Sequence, residues 1–330
     1  MARVALFCPG RGSYTEKSLR SLSPAEPWVE AAEELRRGYG LESLLALDQA
    51  AKFEPARHLR PANAAALIYM CSMLDARDVL ARERVVVVGG NSLGWYTALA
   101  VAGALSFEDG FRLVQEMALL QEEGEPGGQV IYPVVDGEWR ASAAAQAAIE
   151  RLLASGAGEV FPSIFLGGYA VLAGTNAGVA RLLKELPPVK LGSTSYPFRL
   201  AQHGPYHTAL ARGVAARARE QLARLAFHAP TCALVDGRGV RFTPQASDVD
   251  ALKAYTLGAQ VDTPYDFTAS VRVALREYAP ERLVLPGPGS TLGGVCAQVL
   301  IQERWHGLTC KADFEAAQAS PAPLLESLRR

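Results

Sequence analysis

The sequence predicts an α/β fold built on a short parallel sheet, and three observations predict it. The first is Val85-Val86-Val87-Val88, a run suited to a strand buried on both faces, as parallel strands are. The second is the way this run ends. Gly89-Gly90 breaks it, and the stretch from Leu93 to Ala104, rich in Ala and Leu, reads as a helix. The third lies beyond the linker Gly124-Glu125-Pro126-Gly127-Gly128. There the elements read β-α-β-β-α-β, the order of a small ferredoxin-like unit.

Composition sets the outer bounds. A chain of 330 residues with 49% hydrophobic content can bury a large core. A net charge of -1 without a basic run argues against a nucleic-acid binder. No uninterrupted apolar segment reaches the roughly 18 residues that a membrane span needs. The start, Met1-Ala2-Arg3-Val4-Ala5-Leu6-Phe7, enters a strand-like run without a secretory cleavage pattern. Cys8, Cys71, Cys232, Cys296 and Cys310 are odd in number, scattered and never C-x-x-C. That suits reduced thiols in a cytoplasm, with no disulfide frame, no zinc site and no other metal centre. A monomer is expected.

In chain order, Arg3 to Phe7 reads as a strand that ends in the glycine-rich turn Cys8-Pro9-Gly10-Arg11-Gly12-Ser13. This turn is too short for a dinucleotide fingerprint and has no Walker lysine. Its use is to bring backbone N–H groups close to a ligand atom. Helices come next at 27–39 and 41–49. Arg60-Pro61-Ala62-Asn63 opens a longer one through Leu80, with proline just inside its start. The valine strand succeeds it. Ser106-Phe107-Glu108-Asp109 then caps a helix to about Glu122. Beyond the linker the pattern predicts strand 130–135, helix 141–153, strands 160–166 and 170–173, helix 177–186 and strand 189–196. The expected division is a body of residues 1–127 and 203–330 with an insert of residues 128–202. Helices at 207–225, 247–257 and 267–278 and strands at 232–235 and 282–285 complete the body. Pro286-Gly287-Pro288-Gly289 leads to a closing helix. The Ala/Pro/Ser-rich tail after Lys311 is expected to be peripheral.

Gly90-Asn91-Ser92-Leu93-Gly94 has G-x-S-x-G spacing between a strand and a helix. That is where a nucleophile elbow needs it: the glycines permit a tight turn and the serine is pushed above the sheet. The N-terminus of the next helix lies under it and can stabilise a developing oxyanion. A serine nucleophile needs a base. The histidines are His58, His203, His207, His228 and His306, and His207 stands in Gly204-Pro205-Tyr206-His207-Thr208, directly after the insert.

Five segments, in order, resemble the malonyl-CoA:acyl-carrier-protein transacylase family. Cys8-Pro9-Gly10-Arg11-Gly12-Ser13 is similar to its F-P-G-Q-G-S, and Gly90-Asn91-Ser92-Leu93-Gly94 to its G-H-S-L-G. Pro205-Tyr206-His207-Thr208 is similar to P-F-H-S/T, Gln260-Val261-Asp262-Thr263-Pro264 to Q-x-x-x-P, and Leu285-Pro286-Gly287-Pro288-Gly289 to the terminal GPG. The likeness runs from about residue 3 to residue 300. It implies an α/β-hydrolase-like main body with a short parallel sheet and an inserted ferredoxin-like (βαββαβ) subdomain.

The resemblance further implies ping-pong acyl transfer from acyl-CoA to the phosphopantetheine thiol of an acyl carrier protein, with no permanently bound cofactor. Ser92 is the implied nucleophile and His207 its base. A backbone carbonyl near Gln260 orients the histidine, so no aspartate is needed. The amides of Arg11 and Leu93 form the implied oxyanion hole. Selective members carry an arginine where this chain has Met117, and methionine cannot fork onto a carboxylate. Paired asparagines of the family align with Ser163 and Phe165. With two walls more apolar, acetyl or longer acyl groups are expected to load at least as well as malonyl. Two family glutamines appear as Arg11 and Arg60. They stand as surface charges, as carboxylate ligands from another side, or as contacts to an acidic carrier. Asn91 replaces a histidine and Trp95 a glutamate, without an account from the sequence. Two other readings share the same residues: an acyl-thioester hydrolase that clears carriers, and a non-catalytic carrier binder.

Overall fold

The valine run forms the middle of the main sheet. A computed structural model describes residues 1–329. Its strands among those residues, in chain order, are β1 Arg3–Cys8, β2 Arg84–Gly90, β3 Gly128–Pro133, β4 Val160–Leu166, β5 Tyr169–Gly174, β6 Val189–Leu191, β7 Thr194–Tyr196, β8 Phe198–Arg199, β9 Ala233–Val235, β10 Arg241–Phe242, β11 Tyr265–Asp266, β12 Arg282–Leu285 and β13 Leu325–Ser327. The main sheet runs β10-β9-β2-β1-β12-β13. Every pairing in it is parallel except β9 with β10. Val87 and Val88 are fully buried and pair with β1 on one side and β9 on the other, which is why a continuous apolar run is needed there.

Helices cover this sheet. The helix Pro61–Arg82 has proline at its first turn and is buried almost all round through its first sixteen residues. It packs against the helix Phe107–Glu122, whose start is capped by the Ser106 hydroxyl accepting from the Asp109 amide at 3.0 Å. That capping hydroxyl satisfies one of the open N–H groups of a helix start.

The second sheet has the order β11-β4-β5-β3-β8. Its four strands from β4 to β8 are mutually antiparallel, and the helices Ala143–Ser155 and Asn176–Glu185 connect them. That is the ferredoxin-like arrangement, with two differences from the sequence pattern. The strand expected over 189–196 splits into the hairpin β6-β7, which turns at Gly192 with φ +58°, and β8 takes the place beside β3. The left-handed turn that glycine permits ends the first strand early. A fifth strand, β11, is lent by the main body and pairs in parallel with β4. It brings residues 265–266 beside the insert.

The tail also departs from expectation. It returns as β13 and pairs in parallel with β12. Leu325 is buried, and the Arg329 guanidinium bonds Asp75 at 2.7–2.9 Å. Edge pairing recruits a segment of low strand propensity, because the β12 edge supplies the ladder it needs.

Candidate active site

Ser92 sits at the hinge between β2 and the helix Leu93–Val101, with φ +54° and ψ −111°. A non-glycine residue is strained there by about 1–3 kcal/mol. The surrounding packing holds it in place. A β-carbon on Gly94 would lie 2.1 Å from the Cys8 carbonyl oxygen, and one on Gly90 would lie 2.2 Å from the Gly94 backbone. Only glycine lets these chain segments pass so closely. The Asn91 amide donates to the Cys8 carbonyl at 3.0 Å, so the Pro9-Gly10-Arg11 loop is laced against the elbow. Tyr265 of β11 donates to the Gly90 carbonyl at 2.5 Å.

The Ser92 hydroxyl lies 2.7 Å from His207 Nε2, and His207 Nδ1 lies 2.7 Å from the Gln260 carbonyl. A carbonyl only accepts, so Nδ1 carries the ring proton and Nε2 is left as the acceptor facing the serine. The Gln260 side chain completes the frame. Its Oε1 accepts from Tyr96 at 2.6 Å, and its Nε2 donates to the Ser92 carbonyl at 3.1 Å. His207 itself has φ +58°, and its amide donates to the Val261 carbonyl at 3.1 Å. This is a base-activated hydroxyl with its base oriented by a third group.

Burial pushes His207 from its ordinary 6.5 down to about 4; the Gln260 hydrogen bond opposes the fall and the Arg11 charge adds to it. A neutral imidazole can take a proton and a protonated one cannot. Acylation of Ser92 should therefore hold its rate as pH falls through 6.5 and lose it only near pH 4. A pH profile of single-turnover acylation checks this, and an acid limb at 6.5 would contradict it. The same depression means that the unfolded chain binds the proton first. The stability that His207 contributes is full above pH 6.5 and is lost as pH falls toward 4.

Two cavities meet at Ser92. The narrow one is lined by Arg11, Ser92, Leu93, Val114, Met117, Ala118, Gln121, Tyr206 and His207. Among the described residues the backbone amides of Arg11 and Leu93 donate to no backbone carbonyl, and both residues line this space. Met117 is only 1% exposed and forms its apolar wall. The wide cavity, about 410 Å³, lies between the elbow and the second sheet. Asn91 and Gly10 line its floor, and Ile131, Ile164, Leu166 and Val171 its roof.

Two expected wall residues are placed differently, and Arg60 stands as a surface charge. Phe165 is 48% exposed and lines neither cavity. A bulge between Pro162 and Ile164 inserts Ser163 as an extra residue, and this reverses the alternation, so Ile164 and Leu166 face the cavity and Phe165 faces water. Ser163 stands behind the wall. Its hydroxyl donates to the Tyr206 carbonyl at 2.8 Å and accepts from Gln129 Nε2 at 2.7 Å. Arg60 is outside both cavities that Ser92 lines. Its guanidinium bonds Glu122 at 2.8–3.1 Å, and Glu122 also accepts from the Ala62 amide at 2.8 Å. The carboxylate thus caps the start of the helix Pro61–Arg82, and Arg60 neutralises it. Trp95 is fully buried; its indole N–H donates to Thr256 at 3.1 Å and fastens the elbow helix to the helix Val249–Leu257.

Other residues reach the site without a sequence signal. Tyr96 braces the Gln260 side chain from below the elbow. His203 is held well below its ordinary pKa by burial, with the Arg11 and His207 charges adding. As a neutral ring its Nδ1 donates to Gln129 Oε1 at 2.8 Å. Tyr206 belongs to the Pro205-Tyr206-His207-Thr208 segment, but its partner does not follow from that segment. Arg11 Cζ stands 4.3 Å from its ring centroid, within cation–π range.

No family model matches the chain. The chain is 27% identical over 305 residues to the malonyl CoA-acyl carrier protein transacylase of Escherichia coli (strain K12), a match that covers 91% of this chain and 94% of that one. The solved malonyl-CoA:acyl carrier protein transacylase of Xanthomonas oryzae pv. oryzae superposes with a TM-score of 0.73 at 26% identity, covering 90% and 91% of the two chains. A malonyl-transacylase solved in complex with its type II polyketide synthase acyl-carrier protein shares the fold, with a TM-score of 0.74 at 21% identity over 100% of this chain and 96% of that one. The five motifs in register and the likeness over nine-tenths of the chain agree: along its length the chain is similar to malonyl-CoA:acyl-carrier-protein transacylases.

Proposed function

We propose that this protein moves an acyl group from coenzyme A to the phosphopantetheine thiol of an acyl carrier protein through an ester on Ser92. The observation that carries the reading is the 2.7 Å contact of Ser92 Oγ with His207 Nε2, with Nδ1 tied to the Gln260 carbonyl at 2.7 Å. His207 takes the hydroxyl proton as Oγ bonds to the thioester carbonyl carbon. The C–S bond breaks, and the proton goes to the departing coenzyme A thiolate. In the second half the carrier thiol gives its proton to His207, attacks the ester, and Ser92 Oγ leaves with the proton returned. The amides of Arg11 and Leu93 are assigned to the oxyanion, where fixed donors are worth about 3–4 kcal/mol each.

The wide cavity takes the pantetheine arm, since an apolar cleft with a few polar groups suits that chain. The body, residues 1–127 and 203–330, carries the reacting groups, and the insert, 128–202, roofs the arm. Asn91 and Met117 touch the substrate on opposite sides of Ser92. Side chains and backbone amides carry every step, and acyl-CoA enters only as substrate. The five unpaired cysteines suit a reducing compartment, and the cytoplasm is the proposed location.

Transfer and hydrolysis share the first half-reaction and separate in the second. The acyl-enzyme is expected to persist in buffer and to discharge within one turnover when holo carrier protein is added, with acyl-carrier appearing in equal amount. Intact-protein mass spectrometry follows both species. Release of free acid at the same rate with and without carrier would instead make the protein a thioester hydrolase.

A further inference from the structure

Among the described residues, one of the buried polar side-chain atoms left without a partner belongs to a full charge: Nη1 of Arg11. The others are hydroxyl or amide atoms, of Ser13, Ser72, Asn91 and Thr97. A buried cationic nitrogen without an acceptor is unfavourable unless an anion arrives. The cation is also held in place. It lies over the Tyr206 ring, Cζ to centroid 4.3 Å. Tyr206 is pinned from behind by a directed chain: His203 donates to Gln129, Gln129 to Ser163, and Ser163 to the Tyr206 carbonyl, at 2.8, 2.7 and 2.8 Å. Such a chain fixes the ring that supports the guanidinium.

Arg11 lines both cavities that meet at Ser92, and it shares the narrow one with Met117. The reacting carbonyl must stand at Ser92, so whatever fills the rest of that space is the far end of the acyl group. The phosphates of coenzyme A lie at the other end of an extended arm.

We propose that Arg11 is the specificity-determining residue for a dicarboxylic acyl group: its guanidinium grips the free carboxylate of a malonyl-type thioester while the carbonyl carbon sits at Ser92. The inference rests on the acyl-transfer reading and names its substrate class. It places the cation on the loop after β1, across from the apolar Met117 wall. It thereby reverses the preference for uncharged acyl groups that Met117 and Phe165 imply. Phe165 faces water, so only one of those two apolar walls is present.

The test compares malonyl-CoA with malonamyl-CoA, in which a neutral amide of the same shape replaces the carboxylate. Single-turnover loading of Ser92 is followed by intact mass in the wild type, Arg11→Gln and Arg11→Lys. The wild type is expected to prefer malonyl on the order of a hundredfold, the loss typical of breaking a buried charge pair. Arg11→Gln should bring that ratio close to unity, and Arg11→Lys, which keeps charge without the fork, should fall between. The ratio is the readout because Arg11 also supplies a backbone amide, and a general loss of rate leaves it unchanged. No preference in the wild type, or the same preference in Arg11→Gln, overturns the proposal. Acetyl-CoA separates the two levels. An acetyl adduct without malonyl preference removes the Arg11 assignment alone. No adduct with any acyl-CoA removes the transacylase reading and this proposal with it.

Discussion

Replacing His207 with alanine should slow acylation of Ser92 on the order of 10⁵- to 10⁶-fold, the scale on which serine–base units fail when one member is removed. The reason is geometric. His207 Nε2 is 2.7 Å from the hydroxyl, and no other base is within hydrogen-bond reach of that oxygen among the described residues. His203, the nearest alternative by sequence, donates to Gln129 and belongs to a different chain of bonds. Without a base the hydroxyl proton stays on, and the neutral oxygen attacks a thioester poorly. Rapid-quench loading with mass detection gives the rate, and a circular dichroism melt confirms that the fold is retained. A loss of less than a hundredfold would show that some other group removes the proton.

Gly94→Ala should be the most damaging single methyl in the body. Its β-carbon would fall 2.1 Å from the Cys8 carbonyl oxygen, 2.7 Å from the Cys8 carbonyl carbon and 2.9 Å from the Pro9 carbonyl oxygen. All three are backbone atoms at the end of the central strand β1, and they cannot swing aside as a flexible side chain can. The expected cost is about 3 kcal/mol or more, the upper part of the range for overpacking a closed interior. Function should fall further than stability does. To relieve the clash, the Cys8-to-Arg11 loop must move off the elbow, and it carries both the Arg11 amide and the Arg11 guanidinium away from Ser92. Gly213→Ala is the comparison. Nothing lies within 4 Å of a β-carbon there, and the residue is in the helix Arg212–Gln221, so that change should be neutral or slightly stabilising. Denaturant midpoints and single-turnover rates read both proteins. A Gly94→Ala enzyme of full stability and rate would mean that the two segments are not locked together.

The parts of this site that can be read from the sequence are those that are local in the chain. G-x-S-x-G after a valine strand announces its own turn, because the strand, the glycines and the helix adjoin. Met117 reads from its spacing as helix packing, and only the family resemblance marks its position as one that selective members fill with arginine. Phe165 is not legible, since a strand pattern assumes unbroken alternation and the Ser163 bulge breaks it. Arg60 reads as a free charge until its partner is found 62 positions away in Glu122. The bracing chain joins residues 129, 163, 203 and 206, on separate elements that only the folded insert brings together. The tail strand β13 carries no strand signal of its own, because the exposed edge of β12 specifies it. Arg11 is visible as a substitution in a glycine-rich turn, but that its Nη1 is buried without a partner is a property of the packed site alone.

In the proposed mechanism Ser92 carries the acyl group. The most direct measurement is peptide mapping of the protein after brief exposure to malonyl-CoA and acetyl-CoA, with Ser92→Ala run beside it. One acyl adduct per chain is expected, on the peptide that contains Ser92, and none on Ser92→Ala. An adduct that persists on Ser92→Ala, or one that maps to a cysteine or another serine, would contradict it.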